Sequence, residues 1–129
     1  MKTKKPQLLV VDDVPTTLEL LVSIFEKQFS VVPHKNGKEA LDWLQEGHLP
    51  DLIISDIRMP VMDGYEFMTH LKASGLFRDI PLFILSAVHE SQERVKFLRE
   101  GAEDFVTKPM NPDELLIRVD KMMSRKISV

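Results

Sequence analysis

Chemically active side chains directly follow several short apolar runs of this sequence. Asp12 and Asp13 follow the first run, and Asp56 comes one residue after a later one, behind a serine. Ser86 and Lys108 follow the last two runs. If the runs are parallel strands of an open sheet, their carboxyl ends meet at one edge, where such sheets bind ligands. We therefore expect these five side chains to share one site.

Such a site is suited to phosphoryl transfer. Three neighbouring carboxylates repel one another unless a cation joins them. All the available ligands are oxygens, which indicates a hard cation. Since the carboxylates are few, coordination positions remain open for water and phosphate, which favours Mg²⁺. Lys108 adds a positive charge for phosphoryl oxygens, and Ser86 adds a hydrogen-bond donor. The remaining carboxylate is then free to attack phosphorus and form an acyl phosphate.

Other reactions fit the sequence less well. A Ser/His/Asp hydrolase needs a histidine near Ser86, and only His89 is close, at a position expected to be a loop. No glycine-rich loop follows the first run, so a nucleotide or flavin site of the usual kind is not supported. A phosphatase of similar architecture would have a second aspartate two residues after its nucleophile, where this chain has Arg58.

Composition limits the class of protein. The chain has 129 residues, enough for one ordinary domain, with 43% hydrophobic and 29% charged residues. Its net charge of −3 argues against a nucleic-acid surface, and the absence of cysteine excludes disulfides and thiol chemistry. Without a long apolar run, or a signal-peptide core at the start, we expect a cytoplasmic protein that does not enter membranes.

The elements that must position these side chains follow an alternating pattern. Five short runs rich in Val, Ile, Leu or Phe are typical of strands buried on both faces. They are Leu8–Val11, Ser30–Val32, Leu52–Ile54, Leu82–Leu85 and Phe105–Thr107. The second run is the weakest and is expected near the sheet edge. Segments with helical spacing separate the runs, so the chain is expected to form an α/β fold, an open parallel sheet with helices on both faces.

The fourth helix has the poorest pattern. Its segment, Ser91 to Arg99, has Val95 and Leu98 as its main apolar residues, so we expect it to be the least firmly held. The other four helices show clearer apolar stripes, which are Leu18/Leu21/Val22/Phe25, Ala40/Leu41/Leu44, Phe67/Met68/Leu71 and Leu115/Val119/Met122.

Several residues mark helix ends. Pro15 suits the first turn of the first helix. Asp63 is expected to cap the third helix, and Asn111 the fifth, where Glu114 can reach back. Three glycines are expected to end helices in the left-handed conformation, namely Gly47, Gly75 and Gly101.

With these residues the sequence resembles the receiver domains of bacterial response regulators, including the chemotaxis-regulator type. The resemblance extends from Gln7 to about Met123. The matching segments are Val10–Asp13, Ser55–Gly64, Leu85–Ala87 and Thr107–Pro109. It implies a single-domain (βα)5 doubly wound sheet with the flavodoxin-like strand order 2-1-3-4-5. The receiver domain would cover residues 1–124, with residues 125–129 as a short tail or truncated linker.

The resemblance also implies roles for the acidic residues. Asp56 corresponds to the phosphoacceptor. Asp13 corresponds to a direct Mg²⁺ ligand, and Asp12 to a carboxylate that acts through a metal-bound water. Arg58 occupies the position whose backbone carbonyl is a further metal ligand.

The remaining roles concern the response to phosphorylation. Ser86 corresponds to the hydroxyl that turns toward the phosphoryl group, and Lys108 to the lysine that pairs with it. Pro109 corresponds to the proline that follows through a cis peptide bond. Phe105 occupies the position of the switch aromatic. The chain departs from the commoner family residues in having Ser rather than Thr at 86 and Phe rather than Tyr at 105.

The function implied is a phosphorylation-dependent switch. A sensor histidine kinase or phosphotransfer protein would supply the phosphoryl group. Phosphorylation would alter the face formed by the fourth helix, fifth strand and fifth helix. That face would bind a downstream effector protein or an output domain, or would form a homodimer. Such a regulatory domain catalyses only its own phosphorylation and autodephosphorylation. The alternative is a receiver-like binding module that acts without phosphorylation.

Overall fold

The computed structural model describes residues 5–87 and 91–127, the last two by their backbone alone. The strands are β1 (Gln7–Val11), β2 (Ser30–His34), β3 (Leu52–Ser55), β4 (Leu82–Ser86) and β5 (Asp104–Thr107). The helices are α1 (Pro15–Phe25), α2 (Gly37–Gln45), α3 (Gly64–Ala73), α4 (Ser91–Arg99) and α5 (Pro112–Ile127). Strands and helices alternate along the chain, as the apolar pattern predicted.

The five strands form one parallel sheet in the order β2-β1-β3-β4-β5, which confirms the predicted topology. β2 lies at an edge, also as predicted. Its residue Pro33 stands opposite Val10. A proline lacks the backbone N–H that an inner strand must donate, and an edge strand tolerates that loss on its open side.

The sheet separates two cores. On one face, Phe67 of α3, Leu44 of α2 and Phe97 of α4 pack against the strands. On the other face, Phe25 of α1 and Val119 of α5 pack against them. Because β3 and β4 are buried at every position, they are apolar without alternation up to the serine that ends each strand. The expectation of helices on both faces is therefore confirmed.

In α4 the predicted apolar residues are not the buried ones. Val95 and Leu98 are 47% and 40% exposed, whereas Phe97 is 0% exposed and is the only buried side chain of that helix. The sequence analysis named Val95 and Leu98 as the main apolar residues and overlooked Phe97, which stands directly before Leu98, because this short helix has no periodic stripe that marks one of the three as the buried residue. A single aromatic residue anchors α4 to the sheet.

Most of the predicted helix ends are observed. Pro15 is the first residue of α1. Asp63 Oδ1 accepts a hydrogen bond from Glu66 N (2.8 Å), and Asn111 Oδ1 accepts one from Glu114 N (3.0 Å). The Glu114 carboxylate pairs with Arg118 (3.3 Å) rather than reaching back to the cap.

The glycine prediction holds at two of three positions. Gly47 and Gly101 have φ angles of 112° and 117°, but Gly75 has no positive φ. After α3, Ser74 is extended, and its hydroxyl accepts a hydrogen bond from Leu76 N (3.1 Å), so a side chain rather than a left-handed glycine organises that end. The prediction for Gly75 was wrong because a serine can perform the same task.

Within the described residues, none of the helices combines the length and the apolar character that crossing a membrane requires. α5 continues to Ile127, past the boundary expected at residue 124.

Candidate functional site

Hydrogen bonds between strand ends place the two buried aspartates side by side. Asp12 follows β1, and its backbone N donates to His34 O (3.1 Å). Asp56 follows β3, and its backbone N donates to Val11 O (2.9 Å). The parallel pairing thus continues one residue beyond each strand. Both carboxylates lie at the carboxyl edge of the sheet, where β1 and β3 are adjacent. The strand order reverses at this point, and open parallel sheets bind ligands at such a reversal.

The other two strands bring the hydroxyl and the ammonium group to the same edge. Ser86 is the last residue of β4, is 1% exposed and stands opposite Thr107 of β5. Lys108 follows β5, and its backbone N donates to Ser86 O (2.8 Å). The Lys108–Pro109 peptide bond is cis.

Three carboxylates and one ammonium group form a compact cluster. One carboxylate oxygen from each of Asp12, Asp13 and Asp56 lies within 4.8 Å of the other two. Lys108 Nζ is 2.7 Å from Asp12 Oδ2 and 3.1 Å from Asp56 Oδ2. Asp12 and Asp56 are buried, whereas Asp13 is exposed at the rim. The structure thus unites these four residues, which sequence reasoning had placed in one site.

Backbone amides orient the buried carboxylates. Asp56 Oδ1 accepts a hydrogen bond from Ile57 N (2.7 Å), and Asp12 Oδ1 accepts one from Val14 N (2.9 Å). In both residues the other oxygen, Oδ2, accepts from Lys108. Each carboxylate therefore has one oxygen held by its own loop and one directed into the cluster.

Burial and charge act against each other in this cluster. Burial raises the pKa of the Asp12 carboxyl, and the nearby Asp56 charge raises it further, although hydrogen bonds from Lys108 and Val14 oppose both. Burial alone would lower the pKa of the Lys108 ammonium, but its hydrogen bonds to Asp12 and Asp56 outweigh burial, so that its pKa is raised. Lys108 is therefore a firmly charged counterion for the acidic pair.

Gly64 contributes to the site in a way that sequence reasoning missed. A Cβ atom on Gly64 would lie 2.2 Å from Asp56 O, and Gly64 N donates to Ile57 O (2.7 Å). Only a glycine lets the first turn of α3 approach the Asp56 backbone this closely. The sequence analysis took Asp63 as the cap of the third helix and assigned no role to Gly64. The detectable signal was a glycine directly after a helix cap.

The residues expected to respond to phosphorylation lie deeper in the fold. Phe105 is 1% exposed, and its ring lies 6.0 Å from the Phe97 ring. Arg94 Nη2 donates to Phe105 O (3.3 Å). The side chain of Arg58 is exposed, and the metal role expected for this residue concerns its backbone carbonyl alone. His89, considered for a hydrolase, lies outside the described residues.

Comparisons with known proteins agree with this geometry. The sequence model of a family described as the response regulator receiver domain matches residues 8–120. The chain is 38% identical over 121 residues to response regulator Rre1 of Synechocystis and 37% identical over 120 residues to the phosphate regulon transcriptional regulatory protein PhoB of Escherichia coli. Each alignment covers 92% of this chain but 52% of the relative, so the chain spans about half the length of these two proteins.

A solved structure extends the similarity to three dimensions. The signal receiver domain of a signal transduction histidine kinase from Syntrophus aciditrophicus superposes with a TM-score of 0.86 at 36% identity. The alignment covers 96% of this chain and 94% of that one. The similarity therefore extends over nearly the whole length of both chains.

Proposed function

Because this chain belongs to the response regulator receiver domain family, we propose that it is a signalling switch that accepts a phosphoryl group on Asp56 with the help of Mg²⁺. The observation that carries this proposal is the cluster in which Asp12, Asp13 and Asp56 converge within 4.8 Å. A sensor histidine kinase or a phosphotransfer protein would supply the phosphoryl group.

The cluster fits Mg²⁺ because its donors are all carboxylate oxygens, which hard cations prefer. Asp12, Asp13 and Asp56 would hold the ion, together with the backbone carbonyl of Arg58. Bound Mg²⁺ supplies charge neutralisation for the carboxylates and for the phosphoryl oxygens. Lys108, which is within 3.1 Å of both buried carboxylates, adds a second positive charge beside them.

In the proposed transfer, a carboxylate oxygen of Asp56 attacks the phosphorus of a phosphohistidine. The P–N bond breaks, its electron pair returns to the imidazole, and an acyl phosphate remains on Asp56. The hydrogen bond from Ile57 N to Oδ1 restricts the rotation of the carboxylate, so that its orientation is set before the donor arrives. Lys108 Nζ and the Ser86 hydroxyl are the groups proposed to pair with the transferred oxygens.

The proposed output surface consists of α4, β5 and α5. It exposes Val95 on α4 and Ile117 on α5, which are 47% and 56% exposed. Ile117 lines a groove of about 800 Å³ on α5, which is lined in addition by the ion pair of Asp104 and Arg118. Exposed apolar residues among charges of both signs suit a protein partner, which would be an effector protein, an output domain or a second copy of the chain.

Phosphorylation would act on this surface by stabilising one arrangement of Ser86 and Phe105 over another. A population shift needs a ligand that binds the two states with different affinity, and the phosphoryl group is such a ligand. Phe105 lies directly beneath α4, because its ring contacts Phe97 and its carbonyl accepts from Arg94. A movement of Phe105 therefore changes the support of α4.

The test is phosphorylation by acetyl phosphate with and without Mg²⁺, read by intact-protein mass. We expect one added phosphoryl group that requires Mg²⁺ and that Asp56→Asn abolishes. A matched control is Asp79→Asn, an exposed aspartate just before β4 at the opposite edge of the sheet, which should leave the modification unchanged. A wild-type chain that gains no mass, or an Asp56→Asn variant that still gains it, refutes the proposal and favours a phosphorylation-independent binding module.

A further inference from the structure

Tyr65, in the first turn of α3, is bound by three residues of the α4 region. Its hydroxyl donates a hydrogen bond to Glu100 Oε1 (2.9 Å). Lys96 Nζ lies 4.0 Å from the centroid of its ring, a cation–π distance. The Phe97 ring approaches it edge-on, with centroids 5.8 Å apart. Tyr65 is thus the point at which α3 holds α4.

The residue before Tyr65 contacts the segment of the proposed phosphoacceptor. Tyr65 follows Gly64, whose position leaves no room for a Cβ beside Asp56 O. Gly64 N also donates to Ile57 O, and Ile57 N donates to Asp56 Oδ1. A displacement of the Asp56 backbone is therefore passed to the first turn of α3 through the backbone contacts of Gly64, which cannot relax by side-chain rotation.

α4 has few other anchors that would make it insensitive to such a displacement. Among its described residues, Phe97 is the only buried side chain. The Phe97 ring lies between those of Tyr65 and Phe105, at 5.8 Å and 6.0 Å respectively. α4 is consequently supported from two sides, by β5 through Phe105 and by α3 through Tyr65.

We propose that Tyr65 is a coupling residue that carries the state of Asp56 to the C-terminal half of α4 through α3, by a route separate from Ser86 and Phe105. The inference rests on the proposed phosphoacceptor function and assigns one means of its regulation. The hydroxyl bond to Glu100 and the ring contact with Lys96 set where this half of α4 lies. Glu100 and Lys96 are the partners through which Tyr65 acts.

The inference is tested by hydrogen exchange of the α4 amides with and without beryllofluoride and Mg²⁺. Tyr65→Phe removes only the hydroxyl, and Glu100→Gln removes only the charge of its acceptor. In the wild type, the ligand should change exchange in residues 91–101. Either substitution should reduce that change by about fivefold, the effect expected from losing one charge-assisted hydrogen bond. The double variant should lose no more than either single variant, because both act through the same bond.

A spectroscopic readout separates coupling from simple packing. Tyr65 is the only tyrosine in the chain, so a ¹³C label at its ζ carbon gives a single resonance. This resonance should shift when beryllofluoride binds to the wild type and should not shift in Glu100→Gln. The control is Glu93→Gln, which makes the same charge change two turns earlier on α4 and should behave as the wild type does.

The outcomes distinguish the two proposals. A wild-type chain that does not bind beryllofluoride at Asp56 refutes the phosphoacceptor function itself. A wild type that binds it, with an α4 response that persists in both Tyr65→Phe and Glu100→Gln, overturns the coupling role alone. Melting temperatures of all variants check that the folded chain is compared in each case.

Discussion

Val61 has an unusual backbone conformation in the loop that follows Asp56. Its φ angle is 71°, a left-handed value that β-branched residues rarely adopt. The side chain is 78% exposed, so little packing offsets this strain. The loop also touches the start of α2, because Gly37 N donates to Met62 O (3.3 Å). The strain is held in place by the contacts on either side of Val61.

Replacing Val61 by glycine should therefore stabilise the fold. We expect the free energy of unfolding to rise by about 1 kcal/mol, because the lost strain exceeds the added chain entropy of glycine. Urea unfolding measures the change. The matched control is Val95→Gly, at an exposed valine inside α4, which should destabilise by about 1 kcal/mol. If both variants lose stability equally, the backbone at Val61 is not strained.

His34 is a second residue with a measurable consequence. Burial lowers the pKa of its imidazole, although Glu39 and Glu46 act in the opposite direction. Its Nε2 atom is buried without a hydrogen-bond partner in the described part of the chain. Protonation of this side chain is therefore easier in the unfolded chain than in the folded one. The imidazole has a pKa of about 6.5 in the unfolded chain. The contribution of neutral His34 to the stability of the fold is therefore fully present above that pH and is lost as the pH falls below it.

We therefore expect the urea concentration at the unfolding midpoint of the wild type to decrease when the pH is lowered from about 7.5 to about 5.5. His34→Gln, which cannot titrate, should remove part of this fall. His70→Gln, at an exposed histidine of α3, should leave it intact. Equal pH dependence in all three proteins would contradict a lowered pKa at His34.

Among the elements, α4 shows how little a short helix needs to be held. The sequence analysis found its pattern to be the poorest of the five helices, and in the structure Phe97 is its one buried residue. Because that ring contacts both Tyr65 and Phe105, one side chain connects three elements. A helix with one anchor can shift without disrupting the remainder of the core, which suits a part of the proposed output surface.

Phe97→Ala should accordingly cost about 3 kcal/mol of unfolding free energy, the range for deleting a fully buried ring. Leu98→Ala, next to it but 40% exposed, should cost less than about 1 kcal/mol. Urea unfolding again gives both values, and hydrogen exchange should place the local loss of protection in α4. The assignment of Phe97 as the anchor fails if Leu98→Ala proves the more damaging of the two.

At the scale of the whole molecule, residues from distant parts of the chain depend on one another electrostatically. Lys108 and Asp12 are separated by 96 positions, yet their charged atoms are 2.7 Å apart. The ammonium group neutralises the same carboxylates that would hold Mg²⁺. The lysine ammonium group and the metal ion are therefore expected to compete for the same carboxylate oxygens. Both would also neutralise the charge of a bound phosphoryl group.

Lys108→Met should thus bind Mg²⁺ several-fold more tightly than the wild type, because uncompensated carboxylates attract the cation more strongly. Without Mg²⁺ the variant should be less stable, and added Mg²⁺ should raise its melting temperature by a larger amount. Thermal melts over a Mg²⁺ titration, with EDTA as the zero point, measure both effects. Lys27→Met, at an exposed lysine after α1, is the control. Identical Mg²⁺ titrations for all three proteins would show that Lys108 does not compete.

Much of this molecule is determined locally. A strand buried on both faces is mostly apolar, so the runs of β1, β3 and β4 were readily recognisable, whereas the partly exposed edge strand β2 gave the weakest run. All five predicted runs have boundaries within one or two residues of the observed strands. Parallel strands have their carboxyl ends at one edge, which is why the aspartates, Ser86 and Lys108 could be assigned to one site. Caps such as Asp63 and Asn111 act on amides three residues away, and a local pattern contains that information.

Contacts between elements were decided only by the tertiary structure. The choice of Phe97 over Val95 and Leu98 depends on how α4 is rotated against the sheet, which its own nine residues do not encode. The approach of Gly64 to Asp56 and the bond from Tyr65 to Glu100, 35 positions apart, depend on where whole helices lie. Periodicity determines which face of an element is buried, but the atoms that meet across elements follow from the packing of the complete core.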